Sequence, residues 1–155
     1  MTLEEFIKKY KGRAAEFEGI YPNQCMDLIE FYNRDVIGAP RLGGNAKDLI
    51  SNPRPNFYEY KYNYPWYIPP RGSIAVWNGN VGKGFGHTAI VLEANLLAFK
   101  SLDQNWPVGA IVTETDHNYF NVQGFLVPRP LDIRIVYNTL VDDMRSLINK
   151  YPRLA

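Results

Sequence analysis

The chain has 155 residues, of which 46% are hydrophobic and 21% are charged, so its composition is that of a globular domain and excludes a disordered, collagen-like or coiled-coil chain. Lysine and arginine total 17 against 16 aspartate and glutamate residues, and this net charge of +1 gives no overall attraction to nucleic acid or to an acidic membrane surface. The single cysteine excludes an intrachain disulfide and a cysteine-rich zinc site.

The sequence shows no signal for membrane insertion or export. No apolar run reaches the roughly 18 residues that indicate a membrane span, and the N-terminus (MTLEEFIKKY) lacks the long apolar stretch of a signal peptide. We therefore expect a protein that is made in the cytoplasm and that needs another route for any later export. We expect neither a membrane nor a nucleic acid among its partners.

The N-terminal part of the chain has the pattern of amphipathic helices. Thr2 and Glu5 have the spacing of a capping box and introduce an apolar stripe with helical periodicity. A second helix is predicted to begin near Cys25, because apolar residues recur at helical spacing from there as far as Val36, and to end at Gly38.

The chain then changes from helices to strands. A short helix is predicted at 46–50, before a proline-rich stretch that starts at Pro53. Tyrosines at 58, 60, 62 and 64 alternate with other residues, which predicts a short strand with one tyrosine face. Five further strand-like runs lie at 73–77, 87–92, 97–102, 110–113 and 119–127. Helices followed by strands predict an α+β domain with an antiparallel sheet.

The end of the chain differs from the rest. Residues 1–130 are predicted to form the main domain, and residues 131–155 a C-terminal extension of one helix. Helical spacing relates the apolar residues Val136, Leu140, Met144, Leu147 and Ile148. This helix either packs on the domain or docks to a partner.

The lone cysteine is a candidate nucleophile because of its position. Cys25 lies at the predicted start of a helix, where unpaired backbone N–H groups and the helix dipole favour a thiolate. A thiolate is suited to covalent catalysis. The alternative is a small buried apolar residue, since free cysteine is often buried.

A thiol nucleophile needs a histidine base and a group that orients it. His87 starts an apolar strand after a glycine-rich turn, which favours it as the base, although it could also be a hydrogen-bonded rim residue. His117 is predicted to lie in a polar, solvated turn and outside the site. Asp103 and Asn105 follow the next strand on the same side, so either could orient the imidazole or merely cap a turn.

Several motifs together resemble one enzyme family. They are Gln24–Leu28, Ser73–Trp77, Gly86–Val91, Asp103–Trp106 and Gly124–Pro128, which occur in this order between about Gly19 and Pro130. The set resembles the CHAP family of cysteine- and histidine-dependent amidohydrolases/peptidases, which are papain-like enzymes of phage endolysins and bacterial autolysins. The resemblance implies a papain-like α+β fold in which the N-terminal helices pack on the sheet.

The resemblance also implies roles for five residues in peptidoglycan hydrolysis. Cys25 would be the nucleophile that forms a thioester, and His87 its general base. Asp103 takes the place of the family's acidic orienting residue, and Asn105 that of a second polar residue. Gln24 would supply an oxyanion-hole donor beside the Cys25 backbone N–H. The bond cut is either a sugar–peptide amide or a peptide bond.

Aromatic side chains are candidates for substrate binding. Tyr64, Trp66 and Trp106 are predicted to line a groove for glycan or stem peptide. The alternative is that the aromatic rings of the 57–67 stretch cover the sheet and that Trp106 belongs to the core.

The resemblance suggests calcium as an optional ligand, although no cofactor is expected to be required. Some phage members carry a calcium loop before the cysteine, and here Glu16, Glu18 and Asp27 could supply oxygen ligands. Glutamate is longer than the aspartate of that loop, and Pro22 stands where a ligand side chain would be. The alternative is a solvated acidic turn.

The resemblance further implies where the protein acts. It would be made in the host cytoplasm and act on bacterial peptidoglycan after release by a holin or delivery in a virion. The C-terminal helix would then contact a virion or partner protein. The alternatives are a non-catalytic virion or wall-binding component on the same fold, and a related hydrolase of another amide.

Overall fold

A computed structural model of the protein describes residues 1–52 and 54–150, with the side chains of 131–139 left out. Three sequence-based predictions therefore lie outside the described part: the role of Pro53, the side chain of Val136, and the last five residues of the C-terminal extension.

The predicted helices are confirmed. Helix α1 (Leu3–Tyr10) begins with a capping box, in which the Thr2 hydroxyl accepts from the Glu5 N–H and the Glu5 carboxylate accepts from the Thr2 N–H. Helix α2 (Cys25–Tyr32) continues into a π-helical turn (Asn33–Ile37) that ends at Gly38. A short 3₁₀ helix occupies Ala46–Ile50.

The strands form one six-stranded sheet, in which all neighbours are antiparallel. They are β1 (Tyr58–Tyr62), β2 (Ile74–Trp77), β3 (His87–Ala94), β4 (Ala98–Asp103), β5 (Thr113–Asn118) and β6 (Val122–Pro128). Their order across the sheet is β1-β6-β2-β3-β4-β5. The prediction of an α+β fold with an antiparallel sheet is therefore confirmed.

The strand predicted at 110–113 is wrong, because β5 begins where that prediction ends. Val112 instead pairs with the loop after α1: its N–H donates to the Arg13 carbonyl at 2.9 Å, and its carbonyl accepts from the Gly12 N–H at 2.8 Å. β5 is an edge strand beside β4, and such a strand can keep one polar face in water. It has no apolar run, so its sequence alone predicts a turn.

Apolar side chains pack on both faces of the sheet. The core between the helices and the first face includes Phe6, Leu28, Ile29, Tyr32, Ile74, Ile90, Leu102 and Leu126. The core on the second face consists of Ala75, Trp77, Ala89, Val91, Phe99, Val122 and Phe125. Because side chains alternate along a strand, His87 shares the second face with Ala89 and Val91, and it lies opposite Trp77 in the pairing of β2 with β3.

Helix α3 (Leu131–Lys150) follows the sheet and presents apolar side chains to solvent. Leu140, Met144, Leu147 and Ile148 are 49–58% exposed. These four side chains therefore do not contribute to the core, and docking to a partner stays a prediction. Within residues 1–52 and 54–150, no helix has the length and apolar character needed to cross a bilayer.

The turn before His87 offers a test of how tightly β3 is held. Gly86 has φ of +80°, and a Cβ there would lie 2.7 Å from both the Lys47 backbone nitrogen and the Trp77 carbonyl oxygen. Gly84 also has a positive φ, of +92°, but a Cβ there would meet nothing within 4 Å. The two glycines thus share the backbone constraint and differ in the space around them.

We expect Gly86→Ala to destabilise the fold far more than Gly84→Ala. The control should lose about 1–2 kcal/mol for a side chain in the left-handed region, whereas Gly86→Ala adds a clash with backbone of about 1–3 kcal/mol. Urea unfolding of both variants measures the difference in the free energy of unfolding. Equal losses would show that the contact around Gly86 relaxes without cost.

Candidate active site

A cleft lies where the N-terminus of α2 meets the start of β3. The residues that line it are Gln24, Cys25, Gly82, Gly86, His87, Asn105, Trp106, Pro107 and Val108. Two of them are glycines, so part of the wall has no side chains. The cleft therefore brings the predicted nucleophile and its predicted base to one accessible surface.

Cys25 is the first residue of α2 and is 9% exposed. Its N–H is among the first of the helix, which have no partner within the helix itself. Its side chain is close enough to His87 to affect the pKa of the imidazole. The thiol is thus placed at a helix N-terminus and beside an imidazole.

His87 connects the thiol to a carboxylate. Its Nε2 lies 2.6 Å from Asp103 Oδ1, which leaves Nδ1 for Cys25. Burial by itself lowers the pKa of His87, but the hydrogen bond to Asp103 and the neighbouring Cys25 side chain outweigh it and raise the pKa to about 9. The imidazole is therefore held as an imidazolium at neutral pH.

Asp103 is fully buried at the end of β4, and both of its carboxylate oxygens are hydrogen-bonded. Oδ2 accepts from His117 Nε2 at 2.6 Å and from the Ser101 hydroxyl at 3.1 Å, while Oδ1 faces His87. Burial acts to raise the pKa of Asp103, but the hydrogen bonds from His117 and His87 prevail and lower it. The carboxylate therefore stays ionised in the protein interior.

The prediction that His117 is solvated and outside the site is wrong. It lies on β5 with 9% of its surface exposed, and it binds the opposite side of the carboxylate that binds His87. One signal in the sequence could have indicated this: Thr115, His117 and Tyr119 alternate with polar residues, as expected for a half-buried strand.

Two tryptophans enclose the pair of histidines. The ring centroids of Trp77 and Trp106 lie 5.1 and 4.9 Å from that of His87, and 4.9 and 5.5 Å from that of His117. The rings thus pack against both histidines that bind Asp103, which is itself fully buried, and hydrogen bonds in such an environment are stronger than in water. Trp106 also lines the cleft, and its contact with substrate stays a prediction.

Tyr64 and Trp66 are placed differently from Trp106. Their stacked rings, 5.1 Å apart, follow β1 and are not among the residues that line the cleft. In the sheet order, β1 lies three strands from β3, a distance of about 14 Å. Trp66 is 74% exposed, so the pair forms an aromatic surface of its own. Tyr64 and Trp66 therefore do not line this cleft, and their role in substrate binding stays a prediction.

Gln24 and Asn105 both line the cleft, but their side chains already bind backbone groups. The Gln24 amide Nε2 donates to the Pro22 carbonyl at 3.2 Å. The Asn105 Oδ1 accepts from the Gly109 N–H at 2.6 Å, in a loop where Asn105 itself has φ of +66°. Asn105 thus caps a turn through its oxygen, which was one of the two alternatives for this residue.

The three carboxylates predicted as calcium ligands do not form a ready ligand set. Asp27 is buried and accepts from the backbone N–H groups of Gln24 and Glu18 at 3.2 and 3.4 Å. Glu18 forms an ion pair with Arg41, and Glu16 is exposed. In the part of the chain that the structure describes, no three His, Cys, Asp or Glu side chains are arranged to hold a metal ion. Calcium binding stays a prediction.

Comparison with known proteins agrees with this geometry. Residues 16–105 match the model of the CHAP domain family. The chain is 32% identical over 135 residues to endolysin PlyTW of Staphylococcus phage Twort, a match that covers 81% of this chain and 29% of that protein. It is 32% identical over 117 residues to endolysin LysK of Staphylococcus phage K, covering 73% and 24% of the two chains. A probable autolysin PH of Staphylococcus aureus is 27% identical over 106 residues, covering 66% and 22%.

Solved structures show the same fold. The crystal structure of the endolysin LysIME-EF1 has a TM-score of 0.70 and 26% identity, and the match covers 86% of this chain and 67% of that one. Ly7917, solved with the hydrolyzing product of MDP, has a TM-score of 0.65 and 18% identity, covering 83% and 63%. The chain spans less than a third of the length of its curated relatives. Since the family model matches more than half of its residues, the chain belongs to the CHAP domain family.

Proposed function

We propose that the protein is a peptidoglycan hydrolase that cleaves an amide bond of the bacterial cell wall, with Cys25 as its nucleophile. The observation that carries this proposal is the cleft that Cys25 and His87 line together, in which the His87 ring is hydrogen-bonded to Asp103 at 2.6 Å. The similarity to phage endolysins and to a probable autolysin supports peptidoglycan as the substrate. Action at the wall after holin release or virion delivery is part of the same proposal.

The proposed reaction is an acyl transfer in two steps. The Cys25 thiolate attacks the carbonyl carbon of the amide, and the developing oxyanion accepts hydrogen bonds from the Cys25 N–H and from the second N–H of the Gln24 side-chain amide, whose first N–H binds the Pro22 carbonyl. The His87 imidazolium then gives its proton to the leaving amine, which departs and leaves a thioester. Neutral His87 next takes a proton from water while the water oxygen attacks the carbonyl carbon of the thioester. The C–S bond then breaks, which releases the carboxylic acid and restores the Cys25 thiolate beside the His87 imidazolium.

Asp103 supports both steps without touching the substrate. Its bond to Nε2 of His87 fixes the ring so that Nδ1 faces the thiol, and its charge stabilises the imidazolium. His117 and Ser101 hold the other oxygen and keep the carboxylate from rotating. We propose Asp103 as the orienting residue and His117 as its positioning partner.

We expect Cys25→Ala to abolish wall hydrolysis while the protein stays folded. The variant lacks the sulfur that forms the thioester, but it removes little packing because Cys25 is small and lies at a helix end. Clearing of purified cell walls measures activity, and mass spectrometry of the released fragments identifies the bond that is cut. Thermal unfolding checks the fold.

Cys25→Ser serves as the matched control because it keeps the size and a hydroxyl but not the nucleophilic thiolate. We expect it to be nearly as inactive as Cys25→Ala. Wall clearing by Cys25→Ala at the rate of the unchanged protein would refute the proposed nucleophile.

The pH dependence should reflect the raised pKa of His87. The folded-state pKa of His87 is about 9 instead of 6.5. The ion pair of its imidazolium with Asp103 is therefore fully formed below pH 6.5 and is lost as the pH rises through about 9. We expect kcat/KM to hold up to about pH 8 and to fall above about 9. The same ion pair contributes stability that disappears over this pH range.

Asp103→Asn tests the cause of this behaviour. It replaces the carboxylate that raises the pKa of His87 by a neutral amide, so the fall in kcat/KM should move to lower pH by about one unit or more. A pH–rate profile at constant ionic strength measures the shift. An alkaline limb that stays in place in Asp103→Asn would contradict the assignment of Asp103.

We propose that calcium is not required for activity. The carboxylates of Asp27 and Glu18 are already bound by backbone N–H groups and by Arg41, so a cation would have to displace the guanidinium. Wall clearing and the melting temperature should therefore persist in EDTA. A loss of wall clearing in EDTA that added calcium reverses would contradict this prediction. If Glu18→Gln removed this response to calcium, the ion would be located at Glu18.

A further inference from the structure

Gln104 is a buried amide directly behind the candidate nucleophile. It follows Asp103 at the end of β4 and is fully buried. Its Oε1 accepts from the Ala15 N–H at 2.7 Å, and its Nε2 donates to the carbonyls of Ala15 at 2.8 Å and Gln24 at 2.7 Å. Both protons and the oxygen of the amide are thus bound to backbone groups, which also fixes the orientation of the amide.

The bond to Gln24 acts on the peptide unit that carries the N–H of Cys25. The only cis peptide bond in the described chain joins Trp106 to Pro107, so the Gln24–Cys25 peptide is trans. In a planar trans peptide the C=O and the N–H point in opposite directions. Gln104 and the Asp27 N–H, at 3.1 Å, both bind the Gln24 carbonyl from the protein side. The Cys25 N–H therefore points away from Gln104, and Gln24 and Cys25 line the cleft, whereas Gln104 does not.

We propose that Gln104 is a positioning residue that fixes the Cys25 N–H as a donor to the oxyanion. This inference rests on the proposed function, because it assumes acyl transfer to Cys25. A donor stabilises the oxyanion only if it is already aimed at the place where the charge develops. Without Gln104, this peptide is held by the first turn of α2 and by the bond of the Gln24 N–H to the Asp27 carboxylate, at a helix end that is prone to fray.

A purely structural role makes a different prediction. Two of the three hydrogen bonds of Gln104 go to Ala15, so the residue also ties the loop after α1 to β4. If this were its whole function, a folded variant would lose stability but keep its turnover number. The turnover number of the folded variant therefore distinguishes a positioning role of Gln104 from a purely structural one.

The principal test is Gln104→Met, which keeps the length of the side chain and removes every hydrogen bond. We expect kcat on soluble wall fragments to fall about 10- to 100-fold, while KM changes less than about threefold. This fall in kcat is no larger than the fall expected when an oxyanion donor is removed altogether. A peptide aldehyde, whose adduct with the thiol carries the same oxyanion, should bind more weakly by a similar factor.

Alkylation by iodoacetamide is the internal reference. This displacement at carbon forms no oxyanion, so it reports the thiolate and His87 and should stay within about twofold of the unchanged protein. Tyr32→Phe is the matched control, because it removes the buried hydrogen bond from the Tyr32 hydroxyl to the Gly72 carbonyl, 2.8 Å long and on the helix side of the sheet. It should lower the melting temperature and leave kcat unchanged.

Unchanged kcat and aldehyde affinity in folded Gln104→Met would overturn the inference. A parallel loss of alkylation would overturn it as well, since it would indicate disorder of the whole site. Gln104→Glu, which keeps the length and an acceptor for Ala15, replaces the methionine variant if that one does not fold. Activity of Cys25→Ala would instead refute the proposed function, whatever Gln104 does.

Discussion

The burial of one carboxylate constrains the rest of this structure. A charged group that is removed from water is stable only if strong hydrogen bonds replace its hydration. Asp103 meets this condition with two histidines and a serine, each from a strand in the centre or at the edge of the sheet. The registers of β3, β4 and β5 are therefore tied to the site, because a slip by one residue would turn His87 or His117 to the other face.

The position of His87 is fixed from the opposite side as well. Gly86 allows the chain to pass close to the backbone of Lys47 and Trp77, and the Lys47 N–H donates to the Phe85 carbonyl at 3.1 Å. The 3₁₀ helix at Ala46–Ile50 thus supports the turn that leads into β3. The imidazole is held between this support and the Asp103 carboxylate, so little rearrangement is needed for it to exchange a proton with the thiol.

Much of the fold and part of the site could be predicted from local patterns. The capping box at Thr2, the start of α2 at Cys25 and the glycine turn before His87 are short-range signals, and the structure reproduces them. His117 was missed because its strand is polar and carries only a weak alternation, and because its place beside Asp103 depends on the pairing of β5 with β4. The role of Gln104 was not predicted for a similar reason, because its hydrogen-bond partners lie 80 and 89 residues away along the chain.

The aromatic residues also show that local patterns do not reveal which distant parts of the chain come together. The tyrosine alternation in β1 predicts a strand, but its distance from the cleft depends on the pairing of β1 with β6 at the far edge of the sheet. Trp106 is different, because it follows Asp103 so closely that any fold that places one must place the other nearby.

The edge position of β5 has a consequence for how the site fails. A strand with one neighbour opens by local fluctuation more readily than a strand held on both sides. When β5 detaches, Asp103 loses His117 and gains water, while the central strands that carry His87 and Asp103 remain paired. The catalytic apparatus would then lose its electrostatic support before the domain loses its shape, so inactivation on warming should precede global melting.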